Sequence, residues 1–261
     1  KVIFTSNSWT VDDVFTIWAA QKTEEEESKL IIGQHGGIYG MTPFGFLEDH
    51  QIKIADKWLS WGWEDKLRPN IKPVHNLKNH DRKISHDPNG GALMVNMGLS
   101  RYSHHLRAIP VCGQWLDYLE DQQKFLKTLP DELRKKVTLR ISPEDFGWDT
   151  RNRWKDKMPE VKIDTGHQYI GKLIGKSRLY ISTYNATTYL ESMYWNIPTI
   201  IFWSPGLWEL NKEVKPYFKL LKSVGIFHES PESAAQQMIN VWDNIDLWWK
   251  SKDVQNACNI F

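Results

Sequence analysis

Cysteine is nearly absent from this chain, with two residues in 261, Cys112 and Cys258. Thiols so far apart give neither a zinc spacing nor the framework of a disulfide-stapled domain. No His/Cys/Asp cluster shows metal-ligand spacing either. An excess of one charge is also missing. The 33 basic and 32 acidic residues leave a net charge of +1, which argues against a dedicated nucleic-acid binder with its strongly basic face. No apolar run approaches the roughly 18 to 20 residues needed to cross a bilayer. The opening "KVIFTSNS" is a strand followed by polar residues rather than a signal peptide. P-loop, GxSxG and GxGxxG patterns do not occur. These absences predict a soluble, cytoplasmic protein with no metal and no resident cofactor.

What is present is an ordinary folded composition, 41% hydrophobic and 25% charged, which excludes disordered and collagen-like chains. The surplus lies in 14 tryptophans. Most stand inside apolar patterns, which assigns them to packing; a sugar-stacking surface is the alternative use. A strand at the first residue, with no initiator Met, predicts that the chain is part of a longer polypeptide and that its first lobe is incomplete.

The order of elements reads as alternating β and α. "KVIFTS" is strand-like, and "TVDDVFTIWAAQ" carries Val11, Val14, Phe15 and Trp18 at helical spacing, with Thr10 as the expected N-cap. The acidic run at 24–28 reads as a solvated loop or helix end. A buried strand follows at Leu30-Ile31-Ile32, then the glycine loop of "GQHGGIYG", a helix across "GFLEDHQIKIADKW", and a short strand or turn at "WLSWGW". Residues 65–90 are polar, hold three prolines and close on Gly-Gly, so they read as a linker. Its basic residues Lys78, Arg82 and Lys83, with His75, His80 and His86, either face an anion or form a solvated connection.

A second series begins with "GALMVNMG" and continues through strands at "KVTLRIS", "VKIDTG", "RLYISTY", "PTIIFW" and "IFHE". Helices alternate with them and end on a long one across "SPESAAQQMINVWDNI". This alternation predicts an α/β protein of two Rossmann-like lobes with parallel sheets and a cleft between them. The boundaries are 1–88 for the later part of the first lobe with its linker and 89–261 for the second lobe.

Two segments carry candidate chemistry. In "RLYISTYNATTYLESMYWN", a polar loop feeds a helix opened by Thr187 and Thr188, and helix N-terminal N–H groups bind phosphate. The Thr188-x-x-Glu191 spacing is also that of a capping box, which would explain both residues without a ligand. In the glycine loop, exposed N–H groups and His35 could hold an anion, whereas a hydrogen-bonded structural histidine is the plainer reading. Arg140 and Arg101 are candidates for bidentate anion binding or for structural ion pairs. Asp145 and Trp148 lie near the same strand end as Arg140. Glu48 and His50 are acid/base candidates on the helix after the glycine loop.

"TYNATTYLESMYWNIPTIIFW" resembles the donor-site segment of GT-B glycosyltransferases. "GQHGGIYG…EDHQIKIADKWLSWGW", "RYSHHLR", "LRISPEDFGW" and "SRLYIST", in the same order, resemble the transferases of bacterial surface-polysaccharide gene clusters (O-antigen, capsule, lipopolysaccharide) similar to retaining β-Kdo transferases. The resemblance runs from about Val2 to Trp249. It implies a GT-B-like fold and transfer of Kdo or a related ulosonic acid from a CMP-activated donor to a glycan or lipid-linked glycan acceptor. No metal is implied, in keeping with the lack of a DxD motif. It implies donor phosphate contacts from Thr183, Asn185, Thr187 and Thr188, with Glu191 near the ribose, and makes His35, Gly36 and Gly37 a first-lobe wall of the active cleft. A carboxylate nucleophile is implied too. Asp12, following the first strand, is the candidate, although acids at a helix start ordinarily compensate the helix dipole. Peripheral contact with the inner face of the membrane, or with other modules of a larger polypeptide, belongs to the same expectation. Two other readings stay open: a polyol-phosphate transferase or epimerase on this fold, and a non-catalytic donor-binding lobe of a larger enzyme.

Overall fold

A computed structural model describes residues 1–76, 83–103 and 108–261. Lys78, His80 and Arg82 of the basic stretch lie outside the described residues. The chain divides into two compact units, 1–82 and 83–261. The second therefore begins six residues before the expected start at residue 89. Residues 83–88 join it because Ile84 lies against Gly171 and Gly175, Asp87 N–H donates to the Ser177 carbonyl, and His86 pairs with Asp246 at 3.2 Å.

The first unit runs β1 (Val2–Thr5), α1 (Ser8–Val11), α2 (Asp13–Glu25), β2 (Lys29–Gly33), α3 (Phe46–Ile54), β3 (Lys57–Trp61) and β4 (Ile71–Val74). All four strands are parallel, in the order β1-β2-β3-β4. Right-handed crossovers that always step the same way lay their helices on the same face. That face carries Ile3, Leu30, Ile32, Trp58 and Ile71, packed against Phe15 and Ala19 of α2 and Ile52 of α3. In the parallel register, Val2, Phe4, Ile31, Leu59 and Trp61 point the other way, where Val2 and Phe4 are exposed.

Three expectations are corrected in this unit. Strand β4 forms inside the expected linker because Ile71, opposite Trp58, is buried in the core, while Pro73 is tolerated on an edge strand. Asp12, not Thr10, caps α2: its Oδ1 accepts from Phe15 N–H at 2.9 Å, while the Thr10 hydroxyl donates back to the Asn7 carbonyl. The buried face of α2 is that of Phe15 and Ala19, so Val11, Val14 and Trp18 stand in solvent rather than in the core. The two sheet edges also differ. β4 carries Lys72 and Pro73, residues that blunt an edge, whereas β1 turns Val2 and Phe4 outward with no proline or charge within the strand.

The second unit runs β5 (Gly91–Val95), α4 (Gln114–Thr128), α5 (Asp131–Arg134), β6 (Val137–Arg140), α6 (Thr150–Lys157), β7 (Lys162–Asp164), α7 (Ile170–Ile174), β8 (Ser177–Ser182), α8 (Thr187–Tyr194), β9 (Thr199–Phe202), α9 (Lys215–Ser223), β10 (Phe227–His228) and α10 (Pro231–Val241). The expected long final helix breaks at a 3₁₀ turn, Trp242–Asn244, and continues as α11 (Ile245–Trp249) and α12 (Lys252–Ile260). Its sheet is fully parallel, in the order β10-β9-β8-β5-β6-β7. The chain steps from β5 through β6 to β7, then restarts at β8 on the other side of β5. β9 is buried throughout, as expected of a parallel strand covered on both faces. Each unit is thus the parallel α/β arrangement expected of a GT-B-like fold.

Candidate functional site at the strand ends

The reversal of strand order between β5 and β8 is a topological switch point, where open α/β sheets form a crevice at the carboxyl ends of their strands. Asn96 follows β5 there, and Thr183-Tyr184-Asn185 follows β8. The two ends are tied together by a buried chain of hydroxyls. Met97 N–H donates to Tyr118 Oη at 2.8 Å, Tyr118 donates to Thr183 Oγ1 at 2.6 Å, and Thr183 donates to the Val95 carbonyl at 2.7 Å. Burial pushes the Tyr118 phenol well above its ordinary range, so it remains a neutral donor. The Thr183 side chain is therefore a brace between strands.

Helix α8 begins at Ala186, an N-cap with no side-chain hydrogen bond. Thr188 thus sits two positions too deep to form the expected capping box with Glu191. Its hydroxyl instead accepts from Tyr180 at 2.6 Å and lies 3.1 Å from Tyr184 Oη. Thr187, at the first helical position, is half-buried, and Glu191 is buried. Asn185 is fully buried; its Oδ1 accepts from Tyr189 at 3.0 Å, while its Nδ2 has no partner among the described residues. Asn96 shows the complementary pattern, with Nδ2 donating to Gln122 Oε1 at 3.1 Å and Oδ1 unpartnered. An orphan donor and an orphan acceptor thus stand at the ends of the two central strands, where an unmade hydrogen bond costs on the order of 1–3 kcal/mol.

Arg140 is engaged by its own neighbours. It pairs with Asp164 at 2.6 Å and donates to the carbonyls of Gly166 and Gln168 at 2.7 Å each, pinning the loop after β7. Arg101 lies 5.4 Å over the Trp148 ring and donates to the Gly147 carbonyl at 3.2 Å. Asp145 accepts from the N–H groups of Asp149 and Thr150 and shapes the start of α6.

In the first unit the glycine loop leaves the carboxyl end of β2. Gln34, which sequence reasoning passed over, organises it. Its Nε2 donates to the Gly36 carbonyl at 2.7 Å, and its Oε1 accepts from Trp61 N–H at 2.9 Å and Trp63 Nε1 at 3.0 Å. His35 is exposed, edge-on to the Tyr39 ring at 5.0 Å, with Nδ1 3.2 Å from Tyr39 Oη. Gly36 is half-buried and Gly37 buried. The loop turns back at Gly40, whose φ of +76° and closeness to the Trp63 ring leave no room for a side chain. Gly40 N–H donates to Glu48 Oε2 at 3.0 Å. Burial raises the Glu48 carboxyl, although the Gly40 N–H and Arg68 pull the other way. His50 stacks on Trp9, with centroids 4.7 Å apart. Asp12 is exposed and its carboxylate engages its own helix.

The polar pairs that build both strand ends join residues far apart in sequence, so no local pattern announced Asn96, Tyr118 or Gln34. The one signal was position: Gln34 and Asn96 are polar residues directly after buried strands. Among the described residues, no group of three His, Cys, Asp or Glu side chains could hold a metal ion. No described helix is long and apolar enough to cross a membrane.

A family model described as LIC12162 family transferase matches residues 1–261. No curated protein matches the sequence. Among solved structures, TarM is similar at a TM-score of 0.54 with 14% identity, covering 98% of this chain and 51% of that one. The wall teichoic acid polymerase TagF is similar at 0.46 with 12% identity, over 90% of this chain and 63% of its own. WaaG, a glycosyltransferase involved in lipopolysaccharide biosynthesis, gives 0.43 and 11%, over 99% and 74%. The chain thus spans about half the length of TarM and under two thirds of TagF. At these identities the likeness concerns the fold.

Proposed function

The chain belongs to the LIC12162 family of transferases, and from that premise we propose that it serves as a glycosyltransferase of surface-polysaccharide assembly, moving a sugar from a nucleotide-activated donor to a glycan acceptor. The observation that carries the reading is the uncapped start of α8 beside buried Asn185, whose Nδ2 lacks a partner, at the β5/β8 switch point. A helix N-terminus, with its partial positive charge, beside an unused amide donor forms a receptor for a phosphate oxygen. Thr187 at the first helical position adds a hydroxyl, and Glu191, one turn further, is the group assigned to the ribose. The sequence resemblance favours CMP as the nucleotide and Kdo or a related ulosonic acid as the sugar.

On this reading Thr183 and Arg140 support the site rather than touch the donor. Among the first-unit candidates, Glu48 has the chemistry of a general acid, because a carboxyl raised by burial keeps its proton closer to neutrality. The roles of His35, Gly36 and Gly37 rest on the sequence resemblance, and the Asp12 carboxylate, the nucleophile candidate, caps α2 through Oδ1.

Calorimetric titration with CMP, UDP and GDP tests the proposal. CMP is expected to bind with 1:1 stoichiometry. Asn185→Asp keeps the acceptor for Tyr189 but puts a negative oxygen where the free amide stood. It should weaken binding at least tenfold, about 1.4 kcal/mol. Absence of binding by all three nucleotides, or unchanged affinity in the variant, would overturn the reading.

A further inference from the structure

The first unit holds a depression of about 200 Å³ at the carboxyl ends of its strands, on the sheet face opposite α2 and α3. Its floor is apolar, made by Phe4, Leu59, Trp61 and Val74, which the strand register sets side by side. Its rim is polar, made by Ser6, His35, His75 and Asn76. We propose that this depression is a binding site for one neutral sugar ring, stacked on Trp61 and hydrogen-bonded by His75 and Asn76. Taking that ring as part of the acceptor rests on the glycosyltransferase reading above.

Three features select this class of ligand. The lining is divided, apolar beneath and polar around, which matches a pyranose with its C–H face and its belt of hydroxyls. No lysine or arginine stands among the described lining residues, whose polar groups are hydroxyl, imidazole and amide, the groups that hydrogen-bond a neutral sugar. The aromatic surface is also uncommitted. Nine of the 14 tryptophans are buried. Of the other five, Trp9 stacks on His50, Trp18 packs on Phe15, Trp63 packs on Trp58, and Trp248 donates to the Val224 carbonyl. Trp61 is half-buried and makes no ring contact among the described residues.

The site is also held in shape before any ligand arrives. Gln34 Oε1 fixes the backbone of Trp61, while its Nε2 fixes the Gly36 carbonyl, so the wall and the floor share one buried side chain. Gly33 closes the back of the depression, where a Cβ would come within 2.9 Å of Ser6 Oγ. The His75 imidazole is exposed and has no hydrogen bond among the described residues, leaving both ring nitrogens for hydroxyls.

Saturation-transfer NMR on the 261-residue chain tests the site, with methyl glycosides of glucose, galactose and N-acetylglucosamine as neutral probes and methyl glucuronide as the charged control. At least one neutral glycoside should saturate, more strongly than the glucuronide. Trp61→Ala should abolish the signal, Trp61→Phe should retain part of it, and His75→Ala should reduce it at least threefold. CMP titration, run on each variant, should be unchanged, which also shows that the variants remain folded. Absence of saturation for every neutral glycoside overturns the site, as does a signal that survives Trp61→Ala. If glycosides saturate through Trp61 while no nucleotide binds, the sugar site stands and the glycosyltransferase reading falls.

Discussion

Strand β9 is buried at all four positions, whereas β1 alternates exposed and buried along its length. The difference follows from the path of the chain. In the second unit the strand order reverses at β5, so helices cover both faces, and such a reversal is where open α/β sheets place a crevice. In the first unit the order never reverses, and α2 and α3 pack on the same face. The second unit therefore concentrates its unpartnered buried amides at one strand-end crevice, while the first exposes a broad, shallow sheet surface. Two units built from the same βα repeat thus present different strand ends among the described residues: two buried asparagines with unpartnered amide atoms in the second, and a half-apolar depression in the first.

The comparison breaks most readily at Trp58. This side chain is fully buried on the face of the first sheet that packs against α2 and α3, against Tyr39 and Trp63. Trp58→Ala should cost about 3–5 kcal/mol. Hydrogen-exchange mass spectrometry should show protection lost across β1 to β4 while the second sheet stays protected; equal loss in both units would refute the division. A smaller effect is expected at the notch. Thr183→Val removes the hydroxyl that links Tyr118 to the Val95 carbonyl and leaves both groups buried without that partner. A loss of about 1–3 kcal/mol should appear in urea unfolding followed at second-unit amides, with little change in the first unit.

The smallest effect separates the units by pH. The Glu48 carboxyl is raised in the folded state, so the native first unit binds more protons than the unfolded chain above the ordinary glutamate range. Stability of that unit should therefore fall as pH rises through the raised value, and the contribution is fully favourable only below the unfolded pKa. Glu48→Gln, which keeps an acceptor for Gly40 N–H, should flatten this fall. Thermal unfolding between pH 4 and 8 would show it, and an identical slope in wild type and variant would remove Glu48 from the account.

Much of this architecture was legible because hydrophobic runs and helical spacing are local. The strands of the second unit, the glycine loop and the start of α8 all stood out in the sequence. Strand β4 did not, since it is short, lies among polar residues and contains Pro73; only its pairing with β3 makes Ile71 a core residue. The Thr188/Glu191 spacing imitated a capping box because sequence cannot show that the backbone enters the helix at Ala186. Arg140 looked like an anion ligand because its partners, Asp164, Gly166 and Gln168, are brought to it by the β6–β7 pairing. Asn96 could not be singled out, and Asn185 only through the family resemblance, as what marks both is a missing partner in three dimensions.

The unblunted edge of β1 bears on how the chain behaves in concentrated solution. Lys72 and Pro73 make β4 a poor template for another strand, but Val2 and Phe4 put no such block on β1, and Val11 of α1 with Val14 and Ile17 of α2 also face solvent. Pairing of that edge between molecules would be second order in protein, so dilution should disperse it and a lysine in place of Phe4 should suppress it. Light scattering against concentration would then read out a property of one four-residue strand.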